Sequence, residues 1–568
     1  MSIAAAVSFC LSMVVFGPIR GLWASSWGPG DMLSTYNNVD LWNGLWYQTT
    51  DTRGFPGEMN LNLFPGIDIT QNSLAVLLGV LSPSPFLGLN LLIIVSFPMT
   101  AAATVLAFRL VGLTGLWAVV LSLAFTFIPY HWGRSLGHVY LGTTYAAVTG
   151  VALALLVAQG RLDRARRTTT LLAIGLVVVT AWSGVYYAAF GILVLLVALV
   201  WRGVTGASLA AIARNAWPLA LMLALSALAL IPAAIARTQE SINNLGNRPP
   251  YESVELAGSL ALALVPAPVS VLPYMGYYNE AAKELTAQAP NNEALALTNY
   301  GTWTSLAALA FAILWAFRRI RRGTPLPRDF RFLTLLGGVL LLFFVPWGLN
   351  SLFATYASAQ IRAWNRLVPS LLLLTFLLAA TAITASPRIR ERAATFVGAG
   401  VVVTIVVVDQ VVPYRALYSS TASRFAEDTR ATRAYADLVN ERIPEHCGVV
   451  QLPFMVYPEN GLREPRLNDY DHLWQALLNP QKKWSYGAVR GTMSEQRVLE
   501  ASTRAERGDV EYLRSIGACA VHVDSRGYTE DQLTDVARRL ELAAGAPVAI
   551  GREGQWTLFD VRGSQDRS

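Results

Sequence analysis

The sequence predicts a polytopic α-helical membrane protein with a water-soluble α/β domain at its C-terminus. Three observations carry this. The 568 residues are 54% hydrophobic and only 14% charged, with mean hydropathy +0.41, whereas soluble domains carry about 25% charged residues. Apolar runs of membrane-spanning length recur along residues 1–412. Residues 413–568 hold about 42 of the 81 Asp, Glu, Lys and Arg, so the charge is concentrated in a tail long enough to bury its own core. The expected division is a transmembrane domain, 1–412, and a soluble domain, 413–568.

Eleven segments read as spans: 3–22, 83–108, 114–130, 139–159, 168–183, 185–201, 215–236, 302–317, 332–351, 366–385 and 393–412. The fifth and sixth meet at Trp182-Ser183-Gly184 and could instead form one broken element. The first segment lacks a basic leader, and Arg20 lies at the wrong end for a cleaved signal. Orientation follows from arginine, which cytoplasmic loops retain. The clusters Arg161/Arg164/Arg166/Arg167, Arg202/Arg214, Arg318–Arg331 and Arg388/Arg390/Arg392 all fall inside if the N-terminus is inside. The 23–71, 237–300 and 352–365 loops, the 130–138 turn and the tail then share the outer face of a plasma (inner) membrane. The net charge of +7 resides in these membrane-part arginines, the tail being near neutral, so no nucleic-acid partner is implied.

The 23–71 loop is too long for a simple connector. It carries Asp31, Asp40, Asp51, Glu58 and Asp68 among Trp, Gly and Asn. Asp31 follows the turn Gly28-Pro29-Gly30 close to the membrane boundary. A base that takes a proton from a hydroxyl must be a carboxylate or imidazole held near the reacting centre, and Asp31 suits that role, with Asp40 in reserve. Asp after Gly is equally common as a helix N-cap.

Pro129-Tyr130-His131-Trp132-Gly133-Arg134 through His138 brings two imidazoles and a guanidinium to the hydrocarbon edge. Cations there need a partner or a polar cavity, and a phosphate would supply one. Snorkelling anchors are the structural alternative. Arg362 and Arg366, four apart, share one face if helical. Glu252 and Glu255 precede a short apolar stretch that suits a re-entrant or interfacial element.

In the tail, 425–443 and 529–543 read as helices, and 448–452, 518–523, 546–550 and 556–560 as strands, a pattern of small α/β domains. Cys447 and Cys519 lie beside or within two of these strands, either as a disulfide or as buried thiols. Trp484, Tyr486 and Arg490 mix aromatics and cations as a sugar-binding surface would. No nucleophile elbow, zinc-protease, P-loop or dinucleotide motif is present.

With these features assembled, the chain resembles the GT-C superfamily of integral-membrane glycosyltransferases. Within it, the chain is similar to the YfhO-like branch of bacterial membrane proteins, through Pro129–His138, Arg362–Arg366, Pro458-Glu459 and Trp484-Ser485-Tyr486-Gly487. The resemblance implies sugar transfer, of a hexose or pentose, from a polyprenyl-phosphate donor to a cell-envelope glycan or lipid on the outer face. Asp31, backed by Asp40, would be catalytic. His131, Arg134, His138, Arg362 and Arg366 would hold the donor phosphate, and Glu252, Trp484, Tyr486 and Arg490 would contact substrate. No paired-acid metal motif accompanies them, so a divalent cation stays open as a cofactor. A flippase of lipid-linked glycans, or a non-catalytic accessory subunit, are the competing expectations. Transporters place ionisable groups near mid-membrane, and these spans are nearly free of them.

Overall fold

A computed structural model of the chain describes residues 1–16, 27–28, 30–64, 66–82, 84–163, 166–240, 248–267, 297–458 and 467–563. Residues 17–26, with Arg20 and the end of the first expected span, Pro29, Arg164, most of the 237–300 loop and Glu459, all singled out above, lie outside these, as do the side chains of Arg388, Arg390 and Arg392.

Over its described residues, each of the eleven apolar segments falls on a helix or a bent helix pair. They are α1 (Ser2–Phe16), α4 (Leu87–Leu110), α5 (Gly115–Thr126) with α6 (Pro129–Ser135), α8 (Tyr145–Ala158), α9 (Arg167–Ala181), α10 (Val185–Val204), α12 (Trp217–Gln239), α15 (Trp303–Arg321), α16 (Arg328–Phe344) with α17 (Leu349–Tyr356), α18 (Val368–Thr384) and α19 (Arg392–Ile405). Among the described residues six helices are long and apolar enough to cross a membrane, or eight if each bent pair is one span. The bend of 46° between α5 and α6 falls at Pro129, whose ring removes a backbone donor. The fifth and sixth segments are separate helices, both packed on α8, with Gly184 between them at φ +111°.

Burial sorts the helices. Every residue of α8 is buried, and 78% of the window around α18, so both are apolar on all sides and form the centre of the bundle. The span through α12 is only 22% buried and presents its leucines outward, as lipid-facing helices do. At one end of the bundle Arg202 pairs with Asp163 at 2.6 Å, Arg328 donates to Thr205, and Gln159 donates to Leu110 and Asp329. The arginine-bearing connections therefore gather on one face, and the tail lies at the other.

The link between the two parts is one continuous helix. From α19 it passes through a π-helical turn, Val406–Val411, into α20 (Val412–Arg442), so the expected boundary at 412/413 falls inside a helix. The tail sheet is β1 (Gly448–Leu452), β2 (Lys483–Trp484), β3 (Ala518–Asp524), β4 (Ala549–Gly551) and β5 (Trp556–Asp560), in the order β2-β1-β3-β5-β4. β1 runs parallel to β2 and β3; β5 is antiparallel to β3 and β4. Four strands fall close to the expected positions. β2 falls on Lys483-Trp484, the start of the expected sugar-binding surface. Cys447 and Cys519 form a disulfide across the β1–β3 pair, with Cα atoms 5.8 Å apart. The first loop extends this sheet: Trp484 N–H donates to Thr52 O, Phe55 N–H to Trp484 O and Gly54 N–H to Tyr486 O. The elaborate loop is thus built into the tail.

Candidate functional site

The site begins at the turn Gly30 (φ +58°), which starts α2 (Asp31–Asp40). Asp31 is the first helical residue, where a carboxylate is favoured by the helix dipole. The Thr35 hydroxyl bonds its carbonyl and holds the first turn. Asp31 Oδ2 meets His138 Nδ1 at 2.7 Å, with 40% and 36% of the two side chains exposed. The pair is open to the tail face. Sequence reasoning grouped His138 with the phosphate ligands; in the structure it meets the candidate base.

Asp40 ends the same helix, roughly 14 Å from Asp31 at 1.5 Å rise per residue. Its carboxylate pairs at 2.6 Å with Arg53, which is 2% exposed. Asp40 therefore neutralises a buried guanidinium and lies too far from Asp31 to share one reacting centre.

The cations divide. His131 is fully buried, stacked on Phe97 at 3.8 Å, and bonded to Ser96 Oγ and Thr126 O. It is a core histidine, turned by α6 into the bundle. Arg134, on the last turn of α6, lies over the Tyr130 ring at 5.7 Å. Arg366 lies over Tyr186 at 4.2 Å. Both arginines act electrostatically on Tyr187, so they converge where α10 begins. Arg362 pairs with Glu252 at 2.8 Å, with Arg248 at 3.7 Å on the same oxygen. Arg362 and Arg366 do not share a helical face as expected: the helix there is a 3-10 turn over Trp364–Leu367, and Arg362 precedes it.

The tail contributes differently from expectation. Trp484 is fully buried and donates its indole N–H to Asn479 O. Tyr486 is buried and donates to Asp469 O. Neither offers a surface to a glycan. Their aromatic character serves the tail core and the seam with the first loop. Arg490 is exposed and donates to Pro458 O. Tyr457, in a tail segment that stands out in the sequence but was given no site role, reaches the first loop at Ser34 Oγ, 3.3 Å away, and lies within electrostatic reach of Arg53 and Asp31.

Asp68 was also passed over. It is half-buried just before α3 (Ile69–Gly79), and burial pushes its carboxyl up to about 7. Its signal in the sequence was local: an acid flanked by Ile67 and Ile69, both of which are buried.

Among the described residues one group of three has metal-ligand character within reach of itself, His472, His522 and Asp524 in the tail. Asp524 already accepts four donors, the Arg526 backbone N–H, Nε and Nη2 and Trp556 Nε1. His472 Nε2–H donates to Pro453 O, and His522 Nδ1 bonds Tyr435. With its lone pairs taken, Asp524 serves a structural network.

In fold the chain is similar to a solved glycosyltransferase. The full length of the chain superposes on the arabinofuranosyltransferase AftD from Mycobacteria with TM-score 0.54 and 16% identity, and spans 40% of that protein's length. Weaker likenesses are to the oligosaccharyltransferase AglB from Archaeoglobus fulgidus, solved with an inhibitory peptide and a dolichol-phosphate (TM-score 0.49, 12% identity, 96% of this chain and 72% of that one), and to ArnT from Cupriavidus metallidurans bound to undecaprenyl phosphate (TM-score 0.41, 12% identity, 99% and 98%). No protein-family model matches the chain, and no curated protein matches it.

Proposed function

We propose that this chain is a membrane glycosyltransferase that moves a sugar from a polyprenyl-phosphate donor to a cell-envelope glycan or lipid acceptor on the outer face. The observation that carries the reading is the short segment 134–138. Its first residue joins Arg366 at Tyr187, and its last holds Asp31. A carboxylate for the acceptor and guanidiniums for the leaving phosphate thus lie within a few residues of one another, in an AftD-like fold.

In the reaction Asp31 accepts the proton of the acceptor hydroxyl while that oxygen attacks the anomeric carbon. The carbon–oxygen bond to phosphate breaks, and its electron pair leaves on the phosphate. Arg134 and Arg366 stabilise the charge that develops there. His138 is a positioning residue that holds the Asp31 carboxylate, and inversion at the anomeric carbon follows from the single displacement.

An apolar cavity of about 630 Å³ between α15, α16 and α18 supports a lipid-borne donor. It runs from Leu260 and Leu264, just beyond the Glu252–Arg362 pair, to Ile320 and Phe330 at the arginine-rich end. Its lining suits a prenyl chain, with the phosphate at the guanidiniums.

The test is transfer of radiolabelled sugar from polyprenyl-phosphate donors to envelope acceptors by the purified chain in vesicles. Formation of a new glycosidic bond supports the reading. Movement of intact lipid-linked sugar across the bilayer with no new bond would replace it with a flippase.

A further inference from the structure

We infer that Asp68 is a substrate-contacting carboxylate, accepting hydrogen bonds from the hydroxyls of the donor's sugar and so selecting an uncharged, hydroxyl-rich ring. The inference rests on the transferase reading and deepens it.

Position is the first argument. The start of α3 is tied on two sides. Gln71 Nε2 donates to Thr143 Oγ1 at 3.0 Å and to Ser183 O at 2.8 Å. Thr70 N–H donates to Trp182 O, and Gly184 N–H to Ile67 O. Asp68 is therefore held between the segment that carries His138 and the break that opens α10, which carries Tyr186 and Tyr187. One of these leads to the proposed base and the other to the proposed phosphate ligands. In a single displacement the transferred sugar must lie between base and leaving phosphate, and Asp68 stands at that junction.

The second argument is space. A methyl group at Gly184 would lie 3.0 Å from Asp68 Oδ1, and Gly184 has φ +111°. Only glycine meets both conditions readily, so the carboxylate rests against bare backbone at the mouth of α10.

The third is unmet bonding. Among the described residues the Asp68 carboxylate makes no hydrogen bond or ion pair. Two of its polar neighbours donate elsewhere: Tyr140 Oη donates to Asn72 Oδ1, and Asn72 Nδ2 donates to Tyr47 Oη at 3.0 Å. A carboxylate has room for about four donors, and leaving them unmet in a half-buried site is costly. Sugar hydroxyls are the donors this site lacks. A uronic acid or a phosphorylated sugar would bring a second anion against Asp68 and is disfavoured.

The experiment compares two probes on purified protein in nanodiscs: polyprenyl monophosphate, and the same lipid carrying an uncharged hexose or pentose. The wild type is expected to bind the sugar-bearing lipid more tightly. Asp68→Asn, which keeps the shape of the side chain, should weaken that lipid by roughly ten-fold or more while leaving the sugar-free lipid unchanged, as expected for hydrogen bonds to a charged group. The groups facing Asp68 are the Tyr47 and Tyr140 phenols, with no charged side chain contributing to its titration. The sugar-dependent gain should accordingly grow as pH rises through about 7 in the wild type, and be flat in the variant. Equal affinity of the wild type for both lipids, unchanged in Asp68→Asn, overturns this inference alone. A wild type that binds neither lipid overturns the transferase reading as well.

Discussion

Asp31 and His138 meet at 2.7 Å although one opens the helix of the first loop and the other follows the bend after the third apolar segment. The contact converts two separate sequence candidates into one acid–imidazole pair, both members of which remain partly exposed. It also orders their expected importance in the proposed reaction.

Asp31→Asn keeps the shape of the side chain and removes the base. Sugar transfer should fall by at least about 100-fold, the scale of general-base catalysis, with kcat affected more than KM. His138→Gln should cost roughly ten-fold, as loss of an orienting partner does. Steady-state transfer kinetics check both. A larger loss at His138 would move the base to the imidazole.

Arg53 is buried with Asp40 as its partner. Asp40→Ala should destabilise the protein by about 2 kcal/mol, less than a fully buried pair because Asp40 is 42% exposed. Adding Arg53→Met should recover part of the loss by removing the stranded charge. Thermal unfolding in detergent measures the cycle.

The disulfide closes a loop of 72 residues in the tail. Replacing Cys447 and Cys519 by Ser should cost about 4 kcal/mol on chain-entropy grounds. Reduction of the wild type should lower its unfolding temperature, and the double variant should no longer respond to reductant.

His522 is buried, and burial, with His472 beside it, holds its pKa down to about 3. The unfolded chain binds a proton near the ordinary value of 6.5, so it takes up more protons than the folded tail between about 3 and 6.5. Stability should therefore fall as pH drops through that window. His522→Gln should flatten the dependence, measured by denaturant unfolding at pH 4 to 7.5.

Gly337 and Gly338 line the cavity between α15, α16 and α18, and a side chain added at Gly338 would meet open space. Gly338→Phe should fill it and raise the KM for a long-chain polyprenyl donor several-fold. A donor with a short prenyl chain should be less affected, which transfer assays with both donors would show.

Much of the organisation was legible in the chain. The apolar segments coincide with the helices because a bilayer demands runs of about 20 apolar residues, a signal that needs no tertiary information. Among the described residues the arginine-bearing connections gather on one face, as the sidedness of arginine in membrane proteins leads one to expect. The strands around Val449 and Val521 were visible as short apolar runs. Arg134 and Arg366 were visible in the sequence as cations at the ends of apolar segments.

Other features depended on packing. Trp484 reads like a sugar platform, yet it is a core residue whose backbone pairs with Thr52 and Phe55. His131 and Arg134 are three residues apart, and the turn of α6 sends one into the bundle and the other toward Tyr187. Asp68 appeared as one acid among five until the contacts at Gly184 placed it.

The sequence by itself therefore determined the helical membrane architecture, the charge-rich tail and the shortlist of candidate residues. Those follow from composition and period, which are properties of the chain read one segment at a time. Only the tertiary structure decided which of those residues meet: Asp31 with His138, Asp40 with Arg53, and Arg362 with Glu252. Pairings between distant segments depend on how helices bend and cross, and a linear pattern of residue types carries no record of that geometry.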